Sequence, residues 1–326
     1  MKIFPIKVEN PVKPYYKFID WKIHNVCNHD CSFCYSRFKD GSQRWFSLSQ
    51  YKEYTDKLVE SCNGQPFWIQ VTGGEPTLYP DLLELMQYMK SKGAMISLIS
   101  NGSRTIRWWQ ELKEAKVLNN LFITYHSEQT DDYQHIAEVI NLFQDEPIEV
   151  ICLMTHVLSS IDKVFQAYDY IVENTGALVT IKAMVIGNYD IYSHYTPTQL
   201  AKLNNSNWTP GNNRKSKSLP PEQYKISHKL KITYNNDVSV ITHPQQVLKQ
   251  QKNHFFGWDC DIGFDNMRVD YDVIYRGVCE VGGERSLNDP EIHFTNDYVN
   301  CTSKDCYCST DMIATKILPK NQYPTA

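Results

Sequence analysis

The sequence has 326 residues, with 33 lysines and arginines against 37 aspartates and glutamates, 42% hydrophobic residues and ten cysteines. That length accommodates a barrel-like domain with a smaller appendage, and a net charge of −4 gives no global drive toward polyanions, so a nucleic-acid partner is neither favoured nor excluded. No run approaches the roughly eighteen apolar residues of a membrane span, and Met1-Lys2-Ile3-Phe4-Pro5 lacks the apolar core of a signal peptide, so the expected setting is the cytoplasm, with no membrane partner. In a reducing compartment clustered cysteines read as metal ligands rather than disulfides.

Along the chain, Phe18 to Ile23 reads as a strand whose carboxyl end leads into Cys27-Asn28-His29-Asp30-Cys31-Ser32-Phe33-Cys34. Strand carboxyl ends are where parallel α/β sheets and barrels bind ligands. Phe46-Ser47-Leu48-Ser49 supplies capping hydroxyls for a helix in which Tyr51, Tyr54, Leu58 and Val59 recur at helical spacing and which stops near Ser61-Cys62-Asn63-Gly64. Phe67 to Thr72 is a short buried strand ending at Gly73-Gly74-Glu75-Pro76. Then follow Asp81 to Lys92 (helix; Leu82, Leu85, Met86 and Met89 inward), Met95 to Ser100 (strand), Ile106 to Ala115 (helix) and Leu121 to Tyr125 (strand). Asp132 to Phe143 (helix), Ile148 to Met154 (strand), Ser160 to Asn174 (helix) and Leu178 to Val185 (strand) complete the series. Six strands alternating with helices imply parallel pairing through right-handed crossovers, in a barrel or a doubly wound sheet.

Thiolate sulfur suits soft metals, and four cysteines would close a structural zinc or iron–sulfur site. Cys27, Cys31 and Cys34 leave one metal position open. Taken alone, the triplet also suits a zinc knuckle completed by His24 or His29, or three unrelated core cysteines. The pattern CxxxCxxC with Phe33 before its third cysteine, about forty residues ahead of Gly73-Gly74-Glu75-Pro76, resembles the radical S-adenosylmethionine (SAM) superfamily. The resemblance implies an α/β fold of the open, partial (βα)6 TIM-like barrel type, which periodicity alone does not separate from a doubly wound sheet. It implies a 4Fe–4S cluster on Cys27, Cys31 and Cys34 whose open iron chelates SAM, with Gly73, Gly74 and Glu75 at the amino group of SAM. It also implies reductive formation of a 5′-deoxyadenosyl radical that abstracts hydrogen from an unactivated carbon, and hence an electron donor such as a flavodoxin or ferredoxin.

Other residues have two readings each. Glu75 suits a charge-assisted contact with an ammonium, its two glycines letting backbone approach a ligand; otherwise it is a loop acid. Ser100 and Asn101 end the third strand, placed either for the ribose or carboxylate of SAM or for a plain strand-to-helix turn. His126, in Tyr125-His126-Ser127-Glu128, either contacts SAM or substrate or caps a turn. Phe33 packs beside the cluster or adenine, or in ordinary core. Cys152, within the fifth strand, either donates hydrogen to a substrate radical or is a small core hydrophobe; Cys62, at a helix end, has the weaker claim.

The alternation stops at Gly187, which suggests a barrel core over 1–186, a polar linker or insertion over 187–228 and a hairpin with a cysteine-rich region over 229–326. Tyr195-Thr196-Pro197 opens a short helix through Leu203. Asn204 to Glu222 reads as a mobile loop whose Arg214, Lys215 and Lys217 are either solvated or able to touch phosphate. Lys229 to Tyr234 and Val238 to Ile241 read as a hairpin across Asn235-Asn236-Asp237. Two strands around a turn between Met267 and Gly277 would bring Cys260 and Cys279 together. Cys301, Cys306 and Cys308 follow, and four of these five thiols could close either a 4Fe–4S cluster or a zinc site.

This region resembles the cysteine-rich extensions, of the SPASM or twitch kind, of some radical SAM enzymes, which implies one auxiliary 4Fe–4S cluster. The spare cysteine stays open, Cys306 and Cys308 being the most awkward pair to use together. The extension type suggests a peptide substrate. The 26 residues ahead of Cys27 are too few for a docking domain, which keeps a nucleotide, a modified nucleobase or another small molecule beside it. Outside the enzyme class stands a non-catalytic iron–sulfur or zinc-binding module.

Overall fold

The computed structural model describes residues 3–12, 15–146, 149–155, 161–182, 195–206, 208–214 and 229–324. The chain divides into two compact units, neither contiguous in sequence: Trp21–Lys52 with Ile69–Pro220, and Met1–Asp20 with Glu53–Trp68 and Pro221–Ala326.

The first strand, β1 (Pro5–Glu9), lies in the second of these units, and the βα alternation starts at β2 (Lys17–Lys22). It runs through α1 (Leu48–Ser61), β3 (Phe67–Thr72), α2 (Leu82–Ser91), β4 (Met95–Ser100), α3 (Ile106–Glu114) and β5 (Asn120–His126). It continues with α4 (Tyr133–Phe143), β6 (Glu149–Thr155), α5 (Ile161–Asn174) and β7 (Leu178–Lys182). The strands are neighbours in sequence order, and β4 through β7 pair in parallel. This is the mixed α/β architecture with a parallel sheet, of the partial TIM-barrel type, that the alternation of periods implies.

Each helix turns one apolar stripe inward, as the 3.6-residue period requires. Leu82, Leu85, Met86 and Met89 are buried on α2, and Ile136, Ala137, Val139, Ile140 and Phe143 on α4. The strands are buried on both faces, as in β3, where Phe67, Trp68, Ile69 and Val71 are all inside. Helix starts are fixed by side-chain caps: Thr105 accepts from Trp108 N and Asp132 from His135 N, each contributing about 1 kcal/mol. Asp81 and Asp132, expected as first helical residues, are instead the caps of α2 and α4.

The last parallel strand is described as far as Lys182; Met184 and Val185 lie outside the described residues. Thr196 caps α6 (Pro197–Asn205) in a capping box with Gln199. The following stretch is anchored where a mobile loop was expected. β8 (Thr209–Pro210) pairs antiparallel with β7, Asn212 N donates to Val172 O, and Asn213 N to Thr175 O. Gly211 is needed there, since a Cβ on it would stand 2.1 Å from Thr175 O. Arg214 donates to the Gly176 carbonyl at 3.3 Å, while Lys215 and Lys217 lie outside the described residues.

The second unit continues with β9 (Leu230–Tyr234), β10 (Ser239–Thr242), α7 (Pro244–Lys249), β11 (Asp259–Cys260), β12 (Asn266–Asp270), β13 (Val273–Tyr275) and β14 (Arg285–Ser286). After these come β15 (Val299–Asn300), α8 (Ser309–Met312) and β16 (Lys316–Ile317). The two expected hairpins are present, β9 with β10 and β12 with β13, their turns using Asp237 and Tyr271 at positive φ (61° and 65°). A six-stranded sheet has the order β10-β9-β1-β16-β11-β15. Its core includes Val8, Leu230, Val247, Phe255, Trp258 and Met312, together with Cys301 and Cys306. Among the described residues, no helix is long and apolar enough to cross a membrane.

Candidate cofactor and metal sites

The turn after β3 is built into the segment that leads to the cysteine loop. Gly74 N donates to His24 O and Glu75 N to Val26 O, both at 2.8 Å. A Cβ on Gly73 would stand 2.4 Å from His24 O, and one on Gly74 2.3 Å from Val26 O. Both glycines are therefore required by the backbone just ahead of Cys27, a reason that the sequence does not display. Glu75 is 1% exposed and accepts from Thr77 N (3.1 Å), Thr77 Oγ1 (2.6 Å), Ser100 Oγ (2.8 Å) and Asn101 N (2.7 Å). Burial pushes its carboxyl up, against these four donors. Ser100 and Asn101, at the end of β4, are thus committed first to Glu75. Asn101 Nδ2 also donates to Asn28 Oδ1 at 3.0 Å, which ties the end of β4 to the cysteine loop.

The end of β5 holds the loop from the other side. His126 Nδ1 lies 3.5 Å from Cys31 Sγ, and its ring stacks on Phe33 (centroids 5.9 Å apart) and meets His29 edge-on at 5.5 Å. Glu128 accepts from Ser32 N at 2.9 Å and Ser32 Oγ at 2.6 Å, and Gln129 Oε1 accepts from Asp30 N at 3.0 Å. Lys39 bonds to Asp30 and to Cys31 O. Glu128, Gln129 and Lys39 were given no role by sequence reasoning; the one available signal was the position of Glu128 just past a strand end. The side chain of Cys152 lies outside the described residues, and Cys62 belongs to the other unit, its buried thiol bonded to Leu58 O at 3.2 Å.

Residues 21–160 match the family model described as Radical SAM superfamily. These residues resemble a radical SAM domain. Among curated proteins, the S-adenosylmethionine-dependent nucleotide dehydratase of Selenomonas ruminantium is 32% identical over 26% of this chain and 30% of its own length. The probable GTP 3′,8-cyclase of Sulfurisphaera tokodaii is 32% identical over 35% of this chain and 36% of its own. The chain thus spans about a third of the length of these relatives. Among solved structures, Streptococcus suis SuiB bound to S-adenosylmethionine superposes with a TM-score of 0.52 at 12% identity, over 84% of this chain and 62% of that one. That likeness is one of fold.

A radical SAM domain implies a 4Fe–4S cluster and SAM, and the residues present fit the cluster. Cys27, Cys31 and Cys34 are all free, Cys31 buried and the other two half-buried. Burial pushes all three thiols up, Cys31 to about 12, and the charges of Cys27 and Cys34 add to the rise at Cys31. Thiols that oppose one another's ionisation in this way are a donor set that a bound cation discharges. His29, Cys31 and His126 also bring their ligand atoms within 4.8 Å of one another, and His29 Nδ1 is buried without a partner. One sulfur and two imidazoles suit zinc as well. His24 turns elsewhere: its Nδ1 accepts from Val26 N at 3.2 Å and its ring meets Trp45.

In the second unit Cys260, Cys301 and Cys306 are buried, and Cys279 and Cys308 half-buried. Cys279 and Cys306 are pushed up by burial, Cys279 to about 12, with smaller contributions from Cys260 and Cys301 at Cys279 and from Cys279 and Cys308 at Cys306. The group is framed by backbone: Cys301 N donates to Trp258 O, Cys306 N to Asn253 O, and Cys279 N to Asp311 Oδ2.

Proposed function

We propose that this radical SAM enzyme cleaves SAM reductively at a 4Fe–4S cluster held by Cys27, Cys31 and Cys34. The observation that carries the reading is three free thiols on one loop whose leading segment, at His24 and Val26, is bonded to the Gly73-Gly74-Glu75 turn. Cys27, Cys31 and Cys34 would hold the cluster, which would supply the electron for reductive cleavage of SAM and so the radical chemistry of hydrogen abstraction from an unactivated carbon.

The chain's part is to hold and enclose. Glu75 locks the ends of β3 and β4 together, and its Oε2, which accepts one bond from Asn101 N, retains capacity for an ammonium group. His126 bonds to Cys31 and, with Phe33, covers the loop with aromatic surface that keeps water from the thiolates. Glu128 and Gln129 fix the loop backbone between the first and second cysteines and beyond. Four of the five carboxyl-terminal thiols supply the ligands for a second cluster, for which the mutual influence among Cys260, Cys279, Cys301, Cys306 and Cys308 is the support. A flavodoxin or ferredoxin supplies the electrons.

The substrate on this reading is a peptide, because of the kind of extension that the second cysteine group resembles. A nucleotide is the second reading, favoured by the relatives named as a nucleotide dehydratase and a GTP cyclase. Anaerobic reconstitution tests the whole: about eight irons per chain and reductive formation of 5′-deoxyadenosine are expected. Zinc uptake without SAM cleavage would overturn it in favour of a metal-binding module. Cys31→Ala should abolish SAM cleavage, whereas Cys306→Ala should leave cleavage uncoupled from substrate.

A further inference from the structure

Lysines are almost never fully buried unless their charge is matched. Lys316 is 2% exposed. Its Nζ donates to the carbonyls of Asp311 (2.6 Å), Ala314 (3.1 Å) and Met312 (3.3 Å), which occupies all three donors of the ammonium. It also lies 5.3 Å from the centroid of the Phe255 ring. Carbonyls and a ring satisfy its hydrogen bonds and orient it, but none of them carries the opposite charge.

The neighbours that can are the thiols of Cys306 and Cys260 and, beside them, the carboxylates of Asp311 and Asp261. In the antiparallel pair β11–β16, Cys260 and Lys316 are direct partners, so their side chains leave the sheet on one face. Cys306 and Phe255 belong to the same buried cluster, walled by Val247, Trp258 and Met312. Asp311 joins the two parts, its carbonyl taking Lys316 Nζ and its carboxylate taking Cys279 N. An interior of this kind is screened little by salt, so a charge acts there at nearly full strength.

We propose that Lys316 is a positioning residue of the carboxyl-terminal thiol site, the fixed counter-charge that favours an anionic cluster on Cys260 and its neighbours and raises the reduction potential of that cluster. The inference rests on the second-cluster reading above. A thiolate-ligated cluster gains one further negative charge on reduction, and a buried cation beside it stabilises the reduced form more than the oxidised one.

The test uses the full chain with Cys27, Cys31 and Cys34 all changed to Ala, so that only the second site takes up iron. After reconstitution, a dithionite titration followed by electron paramagnetic resonance adds one electron per cluster and reads its midpoint. Lys316→Met, which keeps an unbranched chain without the charge, should move the midpoint to lower potential. Lys316→Gln, which can still donate to the carbonyls, should do the same, whereas a purely structural role would be rescued by it. Lys316→Arg should keep the midpoint above both. An unchanged midpoint in the Gln variant, or in the Met variant, overturns the proposal. No iron uptake by the triple-Ala chain overturns the second-cluster reading itself, and the proposal with it.

Discussion

His126 Nδ1 stands 3.5 Å from Cys31 Sγ, joining the end of the β5 strand to the middle thiol of the cysteine loop. The contact makes β5 a wall of the cysteine loop rather than a bystander. His126→Phe would keep the stacking on Phe33 and lose the bond to sulfur. Loss of one such bond costs about 1 kcal/mol, so release of iron to a chelator should run roughly fivefold faster than in the parent. Equal release rates would show that the contact is incidental.

Gly74→Ala would place a methyl group 2.3 Å from Val26 O, a distance the backbone must yield to relieve. The expected loss is about 3 kcal/mol of stability, seen as a lowered urea midpoint, together with reduced iron uptake by the front site. A variant that folds and loads iron like the parent would contradict the packing described.

Glu75→Gln sets an amide NH2 against at least one of the four donors that now point at the carboxylate. About 2 kcal/mol should be lost, and SAM should bind more weakly by calorimetry after reconstitution. Were both quantities unchanged, Glu75 would be neither strut nor ligand.

Acid should weaken the metal-free fold through His24. Burial holds this imidazole at about 4, against 6.5 for an exposed one. Above 6.5 neither folded nor unfolded chain carries the proton; between 6.5 and about 4 the unfolded chain takes it first, so stability falls as pH drops. At pH 5 the loss from this residue is about 2 kcal/mol relative to pH 7, and His24→Gln should remove that part of the slope. Urea midpoints at the two pH values decide the matter.

The βα alternation was legible because each helix carries a single apolar stripe and an Asp, Ser or Thr at its start, both of which are local properties. The thiols were legible by spacing. The clamp of Glu128 and Gln129 on the loop at Asp30 and Ser32 was not, because its partners are 96 and 99 residues apart and leave no periodic trace. Pro210-Gly211-Asn212-Asn213 has the composition of a mobile loop and is held instead by backbone bonds to Val172, Thr175 and Ala177, which composition does not encode. Lys316 carries the sequence signature of a surface residue, and only the pairing of β11 with β16 puts it inside.

That pairing also fixes when each site can exist. Cys260 meets its partner only after residue 316 has been made, and β16 must in turn reach β1, at the other end of the sequence. The front loop and its clamp are complete in the chain once Gln129 has been added. A ribosome working at about 5–20 residues per second needs roughly 10–40 s to cover the 187 positions from Gln129 to Lys316. For that interval the partners of the front clamp are all present in the chain, while the strand pairing that buries Lys316 is not.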